Sequence, residues 1–190
     1  MSKNLNECII NEINAKKDIL IPQVDKKITV CFTGNREKYL PINKVGDKDS
    51  LSLINIKYKL KNLIIESIEN GYTYFVCGLA LGSDLIAGNF VIELKKTYPQ
   101  ITLECALPHA NQFHQYSEKN KLDYLNIIKN CDYLKIVQEN YNRNCYMKRN
   151  KYMVDKSSLV IGIWNGRKGG TCNTLNYAKS KNVTCKLILF

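Results

Sequence analysis

A chain of 190 residues, 45% of them hydrophobic, is long enough for one domain with a full core and too apolar for a disordered protein. Twenty-eight basic residues against 17 acidic ones leave a formal charge of +11, which admits phosphorylated small molecules, nucleic acid or an anionic membrane. Charge alone does not choose, because Lys57, Lys59, Lys61, Lys95 and Lys96 equally suit the outsides of helices.

Residues 1–27 read as a short polar helix or loose arm ahead of a first strand, "ITVCF" (28–32), that runs into "TGNR". Leu53, Ile56, Leu60, Leu63, Ile64 and Ile68 then recur at helical spacing up to the stop at Gly71. "YTYFVCG" predicts a second strand, "GSDLIAGNFVIELKKTY" a helix ended by Pro99, and "ITLECALP" a third strand. A helix over 111–129, a strand in "CDYLKIVQ", a helix in "NRNCYMKRNKYMVDKSS", a strand in "LVIGIW", a helix in "TCNTLNYAKSKN" and a final strand in "CKLILF" complete the series. Strict alternation of helices with continuous apolar strands predicts a parallel sheet covered on both faces, in one domain over 28–190. The eight cysteines include no C-x-x-C pair, and four fall inside these apolar runs as small hydrophobes. No secretory leader or membrane-length apolar run is present, so a reduced cytoplasmic protein without a membrane partner is expected. The two histidines of "PHANQFH" lie five apart and miss the spacing of a helical zinc pair, so no metal is expected.

Ligands of such sheets bind at the carboxyl ends of the strands, which selects a few loops. In "CGLALGSDLIAG", Gly78, Leu79 and Ala80 leave a strand and Gly82, Ser83 and Asp84 open a helix, either as a plain capped turn or as amides aimed at a phosphate. In "WNGRKGGTCNT", Trp164 and Asn165 end a strand, Gly169 and Gly170 allow close backbone approach, Thr171 and Thr174 offer hydroxyls, and Arg167 or Lys168 supplies charge. Thr33, Gly34, Asn35 and Arg36 follow the first strand, and Pro108 and Gln112 follow the third, framing a base or ribose or serving structure alone. Arg149 and its neighbour Asn150 sit on a helix whose inward stripe includes Cys145 and Met153. An arginine there needs an anion or a carboxylate partner. Trp164 and Tyr146 are candidates to stack a base.

"CFTGNR", "CGLALGSDLIAG", "ALPHANQ" and the stretch 143–178 together resemble the SLOG superfamily, which includes the LOG phosphoribohydrolases and the DprA/SMF proteins, and within it the YpsA/YspA-like branch. The resemblance spans about residue 28 to the end. It implies a Rossmann-like three-layer αβα fold with a mainly parallel sheet of about six or seven strands, a nucleotide-type ligand, no required cofactor and a homo-oligomer. The catalytic arginine of LOG enzymes maps onto Arg149, in step with Met153 and Ser157, and would be the catalytic residue if this chain is an enzyme. The LOG motif P-G-G-x-G-T-x-x-E carries over only in part: "GRKGGTCNT" lacks the proline and has Thr174 in place of the glutamate, and Asn35 stands where relatives often have histidine. A hydroxyl neither stabilises an oxocarbenium ion as a carboxylate does nor serves as a base near neutral pH.

The expectation is therefore a sensor or trap for a small phosphorylated nucleotide derivative, such as a cyclic nucleotide or an ADP-ribose-like molecule. A LOG-like nucleotide N-glycosidase is the alternative, and single-stranded nucleic-acid binding ranks third.

Overall fold

The computed structural model of the protein describes residues 4–42 and 50–190. Six strands, β1 (Thr29–Gly34), β2 (Tyr74–Cys77), β3 (Thr102–Leu107), β4 (Tyr133–Ile136), β5 (Leu159–Trp164) and β6 (Thr184–Leu189), form one parallel sheet in the order β4-β3-β2-β1-β5-β6. Among the described residues six α-helices separate or precede them: α1 (Leu5–Lys16), α2 (Leu51–Glu69), α3 (Ser83–Leu94), α4 (Glu118–Asn130), α5 (Cys145–Asp155) and α6 (Gly170–Ser180).

Alternate residues of each strand feed two apolar layers, as the period of two requires. Val30, Phe32, Phe75, Leu103 and Leu107 pack under α1 to α4, while Cys31, Val76, Ala106 and Val160 pack under α5 and α6 with Met153, Val154, Leu175 and Ala178. The sheet is thus covered on both faces, the three-layer Rossmann-like arrangement that strand–helix alternation predicts. Cys31, Cys77 and Cys105 lie buried within β1, β2 and β3, and no cysteine among the described residues is in a disulfide. No helix among those residues is long and apolar enough to cross a membrane.

One stretch sharpens the sequence expectation and another departs from it. Within 1–27, of which 1–3 lie outside the described residues, α1 is a packed helix: Ile9 and Ile13 are buried in the main core, and the Lys16 ammonium donates to the carbonyl of Lys129 at the end of α4. The helix expected over 111–129 begins only at Glu118, where the Ser117 hydroxyl accepts from the Asn120 N–H and caps it. The preceding residues form turns that bring Gln112 and Tyr116 beneath the end of β2.

The chain winds from β1 to β4 on one side of the starting strand and then crosses back to β5 on the other. Loops leaving β1 and β5 therefore diverge, and a crevice opens between them at the carboxyl edge of the sheet, the position where open α/β folds take ligands.

Candidate ligand site at the sheet switch point

A cavity of about 340 Å³ fills that crevice, near the lower end of the range for small-molecule sites. Its walls come from the end of β1 (Thr33, Gly34, Asn35, Arg36), the β2–α3 turn (Ala80, Asp84), α5 (Tyr146, Arg149, Asn150) and the β5–α6 loop (Asn165, Arg167, Lys168, Gly169, Gly170, Thr171). Four cations, Arg36, Arg149, Arg167 and Lys168, face it against one carboxyl group, Asp84.

The glycines sort into two classes by what occupies the space of their missing side chains. A Cβ on Gly34 would overlap the Ser83 side chain, and one on Gly78 would overlap the Arg149 guanidinium. At Gly82, held at φ +94°, a Cβ would overlap the Glu37 amide nitrogen and lie 2.8 Å from the Asn35 carbonyl oxygen. These three glycines are required by protein packing. Gly169 and Gly170, by contrast, have nothing within 4 Å of an added Cβ. They open α6 without a side-chain cap, so the first amides of an 11-residue helix face the cavity with the positive end of its dipole.

That difference corrects the expectation for Gly82 and Ser83. The Ser83 N–H and hydroxyl both donate to the Asn35 carbonyl, at 3.3 and 2.9 Å, and neither residue lines the crevice. The Asn35–Glu37 backbone lies over them, so neither Gly82 nor Ser83 faces the crevice. Leu79 and Gly78 are spent similarly: Gln112 Nε2 donates to their carbonyls at 2.6 and 3.2 Å, and the Tyr116 hydroxyl donates to Leu79 at 3.1 Å. Gln112 thus holds the β2–α3 turn, and Pro108 is buried away from the cavity. Trp164 also turns away. Its indole N–H donates to the Arg167 carbonyl at 2.9 Å, and its ring faces a separate groove beside β6 with Cys172 and Leu187.

The remaining expected residues line the cavity, except Thr174, which is buried behind its wall. Asn35 anchors the two diverging loops to each other, its N–H donating to the Ile163 carbonyl at 3.0 Å and its Oδ1 accepting from the Asn165 N–H at 3.1 Å. Thr174, where LOG enzymes have glutamate, is buried: its hydroxyl donates to the Gly170 carbonyl at 2.9 Å and accepts from Asn150 Nδ2 at 2.8 Å. The hydroxyl braces the opening turn of α6 and ties it to α5. Glu139 and Asp155, carboxylates elsewhere in the chain that could take the part of the missing glutamate, do not line the cavity.

Arg149 is 3% exposed and lies in the notch that Gly78 leaves. Nη1 donates to Asp84 Oδ2 at 3.5 Å, the outer limit of a hydrogen bond, and buried Nε has no partner. Burial pushes the Asp84 carboxyl above the usual range, against the opposing pull of Arg149, the Ala80 N–H and Arg36. On the opposite wall the Arg36 guanidinium lies 5.3 Å from the Tyr146 ring centre, within cation–π range. Tyr146 in turn meets His109 edge-on at 6.1 Å, and burial holds that imidazole below its ordinary value. Tyr39, three residues beyond Arg36, also lines the cavity. It was not singled out in the sequence, where only its place in an expected site loop marked it.

The fold and crevice define a Rossmann-like protein with a cation-lined cavity at its topological switch point. The chain belongs to the YspA SLOG family, whose model matches residues 30–190. It is 34% identical over 142 residues to the SPbeta prophage-derived protein YoqJ of Bacillus subtilis, covering 67% of this chain and 82% of that protein. It is 26% identical to the UPF0398 protein YpsA of the same organism, over 75% of this chain and 78% of that one. Among solved structures, DNA processing protein A from Helicobacter pylori, described for its single-stranded DNA binding mode, superposes with a TM-score of 0.55 at 20% identity. DNA processing protein A from Streptococcus pneumoniae gives the same TM-score at 18% identity. The matches cover 84% and 85% of this chain but only 64% and 50% of those two chains, and at such identity they speak to the fold alone.

Proposed function

We propose that the protein binds a small phosphorylated nucleotide derivative in the β1/β5 crevice and acts as a sensor or sequestering protein for it. The phosphate rests against the amides of Gly169 to Thr171 and against Arg149, and the base lies toward Arg36, Tyr146 and Tyr39. The observation that carries this reading is the Arg149 guanidinium: buried, long-bonded to one carboxyl oxygen and unpartnered at Nε, it opens onto an uncapped helix terminus. A buried cation so poorly paired is costly unless a ligand completes its bonding.

Calorimetric titration with AMP, cyclic AMP and ADP-ribose tests the proposal, with chromatography of the recovered ligand. Saturable binding with intact recovery supports capture, whereas release of free base supports the N-glycosidase alternative. Arg149→Ala should weaken binding by about tenfold or more, since a hydrogen bond to a charged group contributes about 1.5–3 kcal/mol. An unchanged dissociation constant removes Arg149 from the site.

One observation favours a second reading, the end of a nucleic-acid single strand. Tyr141, 66% exposed, joins His109 and Tyr146 in an aromatic group beside Arg36, a composition suited to stacking bases. That reading predicts a steep fall in oligonucleotide affinity with salt and a loss on Tyr141→Ala, neither of which mononucleotide binding requires.

A further inference from the structure

The floor of the cavity holds a pair that is looser than an ordinary salt bridge. Asp84 (5% exposed) reaches Arg149 through one oxygen only, at 3.5 Å, and that same Oδ2 accepts from the Ala80 N–H at 3.2 Å. The Ala80 N–H holds the carboxyl to the β2–α3 turn, and the guanidinium lies in the Gly78 notch. The pair is thus one long contact, not a bidentate fork. An anion entering between Arg149 and the α6 terminus arrives beside a carboxylate that already occupies part of the same cation. With Asp84 and Arg149 both this deeply buried, two like charges in that position repel strongly.

Resting on the phosphate reading above, we propose that Asp84 is the specificity-determining residue of this site: its carboxyl stands in for the ligand anion on Arg149 and takes up one proton as that anion enters. The proton comes from solvent to a carboxylate oxygen, and the neutral acid then donates its O–H to an oxygen of the anion. A site built this way accepts tetrahedral oxyanions that keep a spare acceptor, and it discriminates against uncharged nucleosides, which cannot draw the proton in.

The groups facing Asp84 from the packed elements are Arg149 on α5, Arg36 after β1, Cys31 in β1 and Cys77 in β2. Both thiols are pushed up by burial, Cys31 to about 12, so they stay neutral. Asp84 is left as the group that changes charge on this floor, and His109, packed against Tyr146, is the titratable group on the rim.

The test uses sulfate, whose charge is constant across the neutral range, and AMP in parallel. Titrating sulfate into the wild-type protein in buffers of different ionisation enthalpy at one pH counts the protons exchanged. Uptake approaching one proton per sulfate is expected, with affinity falling by up to about tenfold per pH unit once Asp84 is ionised in the free protein. Asp84→Asn, whose amide donates as the neutral acid does, should bind without proton uptake and with an affinity independent of pH. His109→Gln should keep the uptake. Arg149-dependent binding without proton exchange, or a pH dependence that survives in Asp84→Asn, overturns the role of Asp84 and leaves the site standing. Failure of the wild type to bind either sulfate or AMP overturns both. Should Asp84→Asn not fold, the wild-type proton count decides alone.

Discussion

Replacing Gly78 with alanine should act as an arginine knockout without touching the arginine. The new methyl would overlap Nη1 and Cζ of Arg149 and come within 2.8 Å of Asp84 Oδ2. Gly78 has no positive φ, so the backbone accepts alanine, and the clash is relieved by moving the end of a long flexible side chain. The fold should survive. The guanidinium leaves its notch, and the ligand loses one charge-assisted contact of about 1.5–3 kcal/mol, or roughly ten- to hundredfold in Kd. Calorimetry with AMP on wild type, Gly78→Ala, Arg149→Ala and the double variant measures it. The double variant should be no weaker than Arg149→Ala alone, because both changes remove the same contact. AMP affinity within twofold of wild type in a folded Gly78→Ala protein would refute the notch and the arginine's part in the site together.

The other glycines give contrasting outcomes. Gly170→Ala meets open space and should leave the melting temperature unchanged or slightly raised while weakening AMP binding, because the methyl stands where the phosphate approaches the helix. Gly82→Ala lies outside the cavity at φ +94° and against the Glu37 backbone, so it should cost about 2 kcal/mol or more by urea denaturation. Glu104 is fully buried in β3 and accepts from Tyr74, Tyr152 and Lys156; Glu104→Gln should destabilise by about 3 kcal/mol without changing AMP affinity in protein that remains folded. The raised Asp84 carboxyl makes the folded ligand-free protein hold that proton more tightly than the unfolded chain. Its contribution is thus lost as pH rises from the ordinary carboxylate range through the Asp84 value. Denaturation midpoints from mildly acid to neutral pH should show this fall in wild type, and Asp84→Asn should lack it.

The layer architecture was legible because the inner strands β1, β2, β3 and β5 are buried on both faces and the helices repeat their buried residues at three and four. Leu53, Ile56, Leu60, Ile64 and Ile68 are the plainest case, buried as the spacing predicts. The wall residues from Asn35, Arg36, Arg149 and Gly169 to Thr171 were legible because the rule for strand ends selects loops. What each loop does there was not. "CGLALGSD" and "GRKGGT" look alike as strings of small residues, yet the first closes against the Asn35–Glu37 backbone and the second stays open. That contrast depends on contacts between segments nearly fifty residues apart. Trp164 failed as a base platform for a similar reason, since the next loop captures its N–H and turns the ring toward β6. The pairing of Arg149 with Asp84 joins α5 to α3 across 65 positions, so the sequence marks the need for a partner and the fold supplies it. Ile9 and Ile13 were masked by the polar residues around them in α1.

The most direct test of the crevice as the phosphate site is amide chemical-shift mapping by NMR during titration with AMP. The account predicts that the largest shifts fall on Gly169, Gly170 and Thr171 and on Gly34 to Arg36, saturating together with one dissociation constant. Shifts centred instead on the groove of Trp164, Cys172 and Leu187, or on Gly82 and Ser83 beneath the Asn35–Glu37 backbone, would contradict it.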